Sequence, residues 1–362
     1  MNIIFLNTIQ KIVDNLFTIV YNVFTDRVAE SCEACNRGSS LRRLPFFLEV
    51  IMAKPFLSYE DQLNKLEHEK CLAIPDRDYA TLMLQRIGYF SLIGGYKKPF
   101  KNPTNNLYYR YVKFDDIVAL YSFDEDLREL FFKYILQIER HIRSLLAYAF
   151  TEKHGESQAQ YLDPRNYDPA PSVQKDVSRL IGTLNKLANE PGDYPYINHQ
   201  RNTYGNVPLW VLMNGITFGT LSKFYLLSTQ DIKAKVAKNF PKVNEKQLSQ
   251  YLKVMTKFRN VCAHNERLFS FKTKDDIPNT VLHSKLMIPK RGNQFLSGKR
   301  DLFSLVIAFR YLLPNEEFKI FKRSLTFILQ KYYHRSSAIP RKTLLDSMGF
   351  PENWYTITRY KK

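Results

Sequence analysis

Leu248-Ser249-Gln250-Tyr251-Leu252-Lys253-Val254-Met255-Thr256-Lys257-Phe258-Arg259-Asn260-Val261-Cys262-Ala263-His264 sets the fold class. Leu248, Tyr251, Leu252, Met255 and Phe258 recur at i, i+3, i+4 and i+7, the apolar stripe of a helix with one face buried. The last turn departs from the stripe with Arg259, Asn260 and His264. Asn260 and His264 stand one turn apart and share a face. Arg259 lies about 140° around the axis from His264 at ~100° per residue, so the two converge only if the long arginine side chain bends over. An imidazole can move a proton near neutral pH. A guanidinium can hold a phosphate through two hydrogen bonds and stabilise the charge that builds on it. With no carboxylate nucleophile or metal cluster beside them, these groups suit phosphodiester chemistry on RNA, which supplies its own 2′-hydroxyl nucleophile. The plainer reading is a histidine bonded locally beside a surface arginine.

The composition narrows the partners. The 362 residues can hold one large domain or two ordinary ones, and 44% are apolar, enough for a sizeable core. A net charge of +18 favours an anionic partner, nucleic acid first and an anionic membrane surface second. The 23 Tyr and 26 Phe are mostly core, but tyrosines beside Lys or Arg can stack on unpaired bases. The four cysteines are too few for a disulfide scaffold, which fits a reducing, cytoplasmic compartment. Cys32-Glu-Ala-Cys35 is a lone CxxC without the two further ligands zinc requires, and Cys262 reads as a small buried side chain. No metal or other cofactor is expected. P-loop, GxGxxG, HExxH and GxSxG patterns are absent, which removes support for kinase, dehydrogenase, zinc-protease and esterase chemistry.

Taken in order, residues 1–51 form an extension of their own. Its apolar run from Ile3 to Val23 is interrupted by Asn7, Gln10, Lys11, Asp14 and Asn15, so it reads as neither signal peptide nor spanning helix. It is either an amphipathic helix or untranslated in the natural protein, with Met52 as the start. Residues 52–284 form the main helical region and 285–362 a basic helical C-terminal region. Short helices are expected over 58–74 and 79–90, followed by a basic-aromatic loop in which Lys97 and Lys98 are candidate RNA contacts. A long helix over about 115–153 follows, with a bend near Ser122-Phe123. In it Glu139 and Arg143 stand at i, i+4, the order of a favourable intrahelical ion pair. If this helix packs on the motif helix, Glu139 and Arg143 support the site and Arg140 contacts phosphate. A second polar loop holds His199, Arg201 and Tyr204, and Trp210 reads as a core anchor. After the motif, Glu266 is a candidate orienting group and Arg267 a candidate phosphate contact. Residues 285–362 contain 16 Lys/Arg against 5 Asp/Glu, a net of +11. Lys290, Arg291, Lys299, Arg300, Lys322 and Arg323 are its candidate RNA-binding residues, against the alternative of a solvated helical face.

Arg259-Asn260-x-x-x-His264 resembles the RNxxxH signature of HEPN ribonucleases. Its surroundings resemble bacterial abortive-infection (Abi) proteins of the AbiD/AbiF type. The residues that carry this are Lys54-Pro55-Phe56-Leu57-Ser58-Tyr59-Glu60-Asp61-Gln62, Arg86-Ile87-Gly88-Tyr89-Phe90, Gly94-Gly95-Tyr96, Ile138-Glu139-Arg140-His141-Ile142-Arg143, Pro208-Leu209-Trp210 and Phe218-Gly219-Thr220-Leu221-Ser222. The resemblance covers roughly residues 53–285. It implies an all-α, HEPN-like helical bundle with additional N- and C-terminal helices. It implies metal-independent RNA cleavage with Arg259, Asn260 and His264 as catalytic residues, in a site composed by a homodimer. It also implies a defence or toxin–antitoxin role with a partner such as a small antitoxin RNA. A non-catalytic RNA-binding scaffold is the alternative.

Overall fold

The computed structural model describes residues 56–362. The expectations for the apolar run from Ile3 to Val23, the Cys32/Cys35 pair and a start at Met52 lie outside the described residues. Residues 57–362 form one compact unit. It is all-α: the sheet among the described residues is a two-stranded hairpin, β1 (Lys290–Arg291) against β2 (Gln294–Phe295).

Two short helices, α1 (Tyr59–Asn64) and α2 (Arg77–Ile87), precede the dominant element, α3 (Phe114–His154). Its 41 residues contain no Pro or Gly and give a rod about 60 Å long. Asp115 and Asp116 favour its first turn, where Asp116 accepts from the Lys113 amide at 2.8 Å. Gly155, at φ 93°, ends it in a conformation that a side chain would resist. The expected bend at Ser122-Phe123 is absent. Phe123 is buried against Tyr332 with ring centroids 5.0 Å apart, so the apolar face runs through unbroken.

Eleven α-helices among the described residues follow this rod. In order come α4 (Gln158–Leu162), α5 (Gln174–Asn189), α6 (Pro195–Tyr204), α7 (Leu209–Leu212), α8 (Phe218–Leu227), α9 (Gln230–Ala237), α10 (Glu245–Ala263), α11 (Val281–Lys285), α12 (Leu302–Leu312), α13 (Asn315–Arg335) and α14 (Arg341–Met348). Helices α7, α9, α10 and α13 pack directly on α3. Phe131 and Tyr134 of α3, Phe309 of α12 and Phe321 of α13 form an aromatic cluster with centroids 5.1–6.2 Å apart. The basic C-terminal helices are therefore built into the core around α3.

Two local expectations are corrected. His199, Arg201 and Tyr204 lie on helix α6, where Pro195 occupies the favoured first position and Gly205 closes the end in the left-handed region. Trp210 is 49% exposed. Leu209, Leu212 and Met213, at i, i+3 and i+4, take the inward face of this short segment, which turns Trp210 outward.

Candidate functional site

Helix α10 begins with a capping box: Asn244 accepts from the Gln247 amide at 2.8 Å and Gln247 returns the bond to the Asn244 amide at 3.0 Å. Leu248, Tyr251, Leu252, Met255 and Phe258 are all buried, as their spacing requires. His264 caps the C-terminal end. Asn265 then turns into the left-handed region at φ 55°. Its amide reaches the Cys262 carbonyl at 3.3 Å and the Glu266 amide reaches the Val261 carbonyl at 3.0 Å. This is the Schellman ending, with Asn in the place glycine usually takes. It leaves Asn260 and His264 exposed at the open end of the helix. Among the described residues neither side chain has a hydrogen-bond partner.

Arg259 faces the other way, half-buried toward α3. Its guanidinium lies 5.9 Å from the Phe132 ring centroid, and its Nε is buried without a partner. Glu139 is buried beside it and donates nothing; its Oε1 accepts from Arg143 Nη2 at 2.6 Å, while its Oε2 has no partner. Burial raises the Glu139 carboxyl above the usual carboxylate range, against the pull of Arg143 and then Arg259 toward the ionised form. The long helix thus supplies one buried carboxyl that is ion-paired with Arg143 and near enough to the motif's Arg259 to feel its charge. A buried arginine nitrogen and a buried carboxylate oxygen left open are groups a ligand can complete.

A second cluster holds the chain that leaves the motif. Asp124 on α3 is fully buried and paired to Arg128 at 3.0 Å. Asp124 also accepts from the Tyr96 hydroxyl at 2.7 Å and from the Leu268 and Phe269 amides at 2.9 and 2.6 Å. Arg128 donates to the Glu266 carbonyl at 3.4 Å. Arg267 folds back to the Gly95 carbonyl at 2.5 Å. Segment 266–269 is thereby fastened to α3 and to the loop after α2. The carboxylate of Glu266 is exposed and bonds nothing among the described residues, so it does not orient His264 here.

Arg143 connects this site to a cleft of about 610 Å³ lined by Arg140, Arg143, Tyr148, Trp210 and Asn214, with Glu152 at its far end. Arg140 is exposed and makes no ion pair among the described residues. Glu152 is paired with Lys235, which also sits 5.3 Å from the Tyr148 ring. The cleft offers cations near the motif and two exposed aromatic faces beyond them.

The remaining sequence candidates scatter. Lys97 and Lys98 are exposed, as are Lys290, Arg291 and Arg323. Lys290 covers the Phe295 ring at 4.5 Å. Arg300 is exposed but pairs with Asp276. Lys322 is half-buried and donates to the Tyr355 carbonyl at 2.6 Å and Thr358 Oγ1 at 3.0 Å. Lys299 is a correction: it is 8% exposed and spends its ammonium on the Ile277 carbonyl and on Asn279 at 2.8 Å, so it is a structural clamp and offers nothing to RNA. Burial pushes the Cys262 thiol up to about 12, which keeps it protonated and unreactive.

Sequence reasoning missed Asp124, Arg128, Tyr96, Phe132, Tyr148 and Trp210 as parts of the site. The readable signal was Asp124-x-x-x-Arg128 on the same face as Ile117, Leu127 and Phe131, since charges on an apolar stripe require partners.

Among the described residues no group of three or more His, Cys, Asp or Glu converges in a way that could hold a metal ion, and no helix is long and apolar enough to cross a membrane.

The fold and site define an all-helical protein in which a motif helix, ending in an exposed histidine, is backed by a long helix bearing a buried carboxylate. The family model described as Abi-like protein matches residues 82–270, just over half of the chain, and the chain belongs to that family, the abortive-infection type of phage-defence protein. The match runs from Leu82 within α2 to Ser270 and so includes Asp124, Glu139, Arg143, Trp210 and the whole Arg259–His264 motif. No curated protein and no solved structure matches the chain significantly.

Proposed function

We propose that this protein is a cytoplasmic abortive-infection endoribonuclease that cleaves RNA without metal, with Arg259, Asn260 and His264 as an HEPN-type catalytic set. The observation that supports it best is the position of Arg259. Near the C-terminal end of the motif helix, a guanidinium with an unfilled buried nitrogen lies close enough to the buried Glu139 to influence its charge, while Asn260 and His264 face solvent.

In the proposed reaction the ribose 2′-oxygen forms a bond to the adjacent phosphorus and the bond from phosphorus to the 5′-oxygen breaks. One proton leaves the 2′-hydroxyl and another is delivered to the departing 5′-oxygen. Arg259 stabilises the extra charge on the pentavalent phosphate, and Asn260 orients the substrate or the imidazole. Glu139 places a compensating charge near the guanidinium. The products are a 2′,3′-cyclic phosphate and a 5′-hydroxyl.

The reaction uses both a base and an acid, whereas one chain offers one His264. Two-fold pairing of motif helices would supply the second imidazole, so the proposed active form is a homodimer with a composite site. The absence of an orienting partner for His264 among the described residues fits such a site. The cleft of Arg140, Arg143, Tyr148 and Trp210 would carry the strand beyond the scissile phosphate. An RNA partner that restrains the activity, such as a small antitoxin RNA, belongs to the same reading. The deciding experiment is metal-free cleavage by the wild type and His264→Ala; binding without cleavage by both would favour a ribonucleoprotein scaffold.

A further inference from the structure

A second cavity, sharing no residue with the motif or its cleft, lies in the C-terminal part of the chain outside the family match. Its volume is about 600 Å³. One wall is a stripe of α13 at helical spacing: Lys322, Thr326, Leu329, Tyr333 and its neighbour His334. The other is Arg341 at the start of α14 and the turn Trp354–Arg359. Its charged and titratable lining comprises Lys322, His334, Arg341 and Arg359, with the hydroxyls of Tyr333 and Tyr355; no Asp or Glu lines it among the described residues.

Five further observations point to a ligand. Arg341 and Arg359 are exposed and make no ion pair among the described residues. Lys322 uses two of its three donors on Tyr355 and Thr358, which fixes its ammonium in the wall with a donor to spare. Burial, and then Arg359, depress its pKa, the state of a cation held in place among like charges without an anion. Trp354, 2% exposed and part of the wall, keeps its indole Nε1 buried without a partner. Half-buried Tyr333 and half-exposed Tyr355 add flat apolar surface. Convergent cations beside aromatic faces are what a phosphate joined to a base requires.

We propose that this pocket binds the phosphate of a nucleotide through Arg341, Arg359 and Lys322, with the base against Tyr333 and Tyr355. The nucleotide is either free or the terminal residue of an RNA strand. The site goes beyond the cleavage reaction proposed above and does not depend on it.

The test uses the full chain carrying Trp210→Phe, so that fluorescence reports Trp354 alone, dialysed in high salt until its 260 nm absorbance is that of protein. AMP, inorganic phosphate and a 2′-O-methyl RNA hexamer with either a 5′-phosphate or a 5′-hydroxyl are titrated in turn. The 2′-O-methyl strand has no nucleophile, so binding is read whether or not the protein is a nuclease. Arg341→Glu and Arg359→Glu, both at exposed positions, should each weaken binding at least tenfold, while Lys175→Glu, exposed on α5 outside the pocket and without an ion pair among the described residues, should leave it within twofold. Binding of AMP identifies a free nucleotide; binding of the 5′-phosphorylated strand alone identifies a strand end. Equal weakening by Lys175→Glu, or no binding of any phosphate-bearing probe, overturns the proposal.

Discussion

Asp124 accepts a 2.6 Å hydrogen bond from the backbone amide of Phe269, a residue 145 positions further along the chain. Through this bond the first third of the long helix holds the segment that follows the motif histidine. The same carboxylate takes the Leu268 amide, the Tyr96 hydroxyl and Arg128. Asp124→Asn would leave Arg128 buried without its counter-charge and should cost about 3–5 kcal/mol of stability. The double variant Asp124→Leu/Arg128→Met should recover only part of this, because two backbone amides stay unpaired. Urea denaturation of the three variants checks both statements; full recovery in the double variant would show that the amides do not depend on Asp124.

Asn265 tests how the helix end presents His264. At φ 55° a β-branched side chain is strained. Asn265→Gly should therefore change stability by less than about 1 kcal/mol, whereas Asn265→Val should cost about 1–2 kcal/mol. The Val variant should also lose RNA cleavage beyond what its stability explains, because the last turn must unwind and move the imidazole. Thermal midpoints and cleavage rates are the measurements. Equal behaviour of the two variants would contradict the capping geometry.

Trp210 is expected to stack on an unpaired base. In a His264→Ala background, affinity for a single-stranded RNA decamer should fall about 5- to 150-fold in Trp210→Ala, the range of one lost base–aromatic stack. Trp210→Phe should retain most of the affinity. An unchanged dissociation constant in the Ala variant would remove the cleft from the substrate path.

His283 should make stability depend on pH. Its ring is fully buried, receives the Thr280 amide at 3.2 Å on Nδ1 and donates from Nε2 to the Gly298 carbonyl at 2.9 Å. That pattern requires the neutral ring, and burial lowers its pKa from 6.5 to about 4, with Lys299 adding to the effect. Between these values the unfolded chain binds the extra proton, so the stability His283 contributes is present above about 6.5 and lost as pH falls through about 4. His283→Gln should therefore be less stable than wild type at pH 7, with a smaller deficit at pH 4. Asp301, which burial raises to about 7, slopes the opposite way and is common to both proteins, so it cancels in the difference. Urea midpoints at both pH values read the result; a constant deficit would show that the ring does not titrate with folding.

The helices were legible wherever apolar spacing was regular. The stripe from Leu248 to Phe258 and the long run from Ile117 to Tyr148 gave α10 and most of α3. Periodicity could not place what depends on partners distant in sequence. Trp210 looked like core by its size, yet its two leucine neighbours had already taken the inward face. Lys299 and Arg300 are adjacent and chemically alike, but one is a buried clamp and the other a surface ion pair. The neighbourhood of Glu139 and Arg259 could be stated only as a condition, because residues 120 apart meet only once α3 and α10 pack.

The proposed cleavage depends on His264. The most direct measurement is incubation of a mixed RNA pool in EDTA with wild type beside His264→Ala, both shown to be folded, with chemical analysis of the new ends. The expected result is cleavage by the wild type alone, leaving 2′,3′-cyclic phosphates and 5′-hydroxyls. Equal cleavage by both proteins, or RNA binding without cleavage by either after copurified RNA has been stripped away, would contradict it.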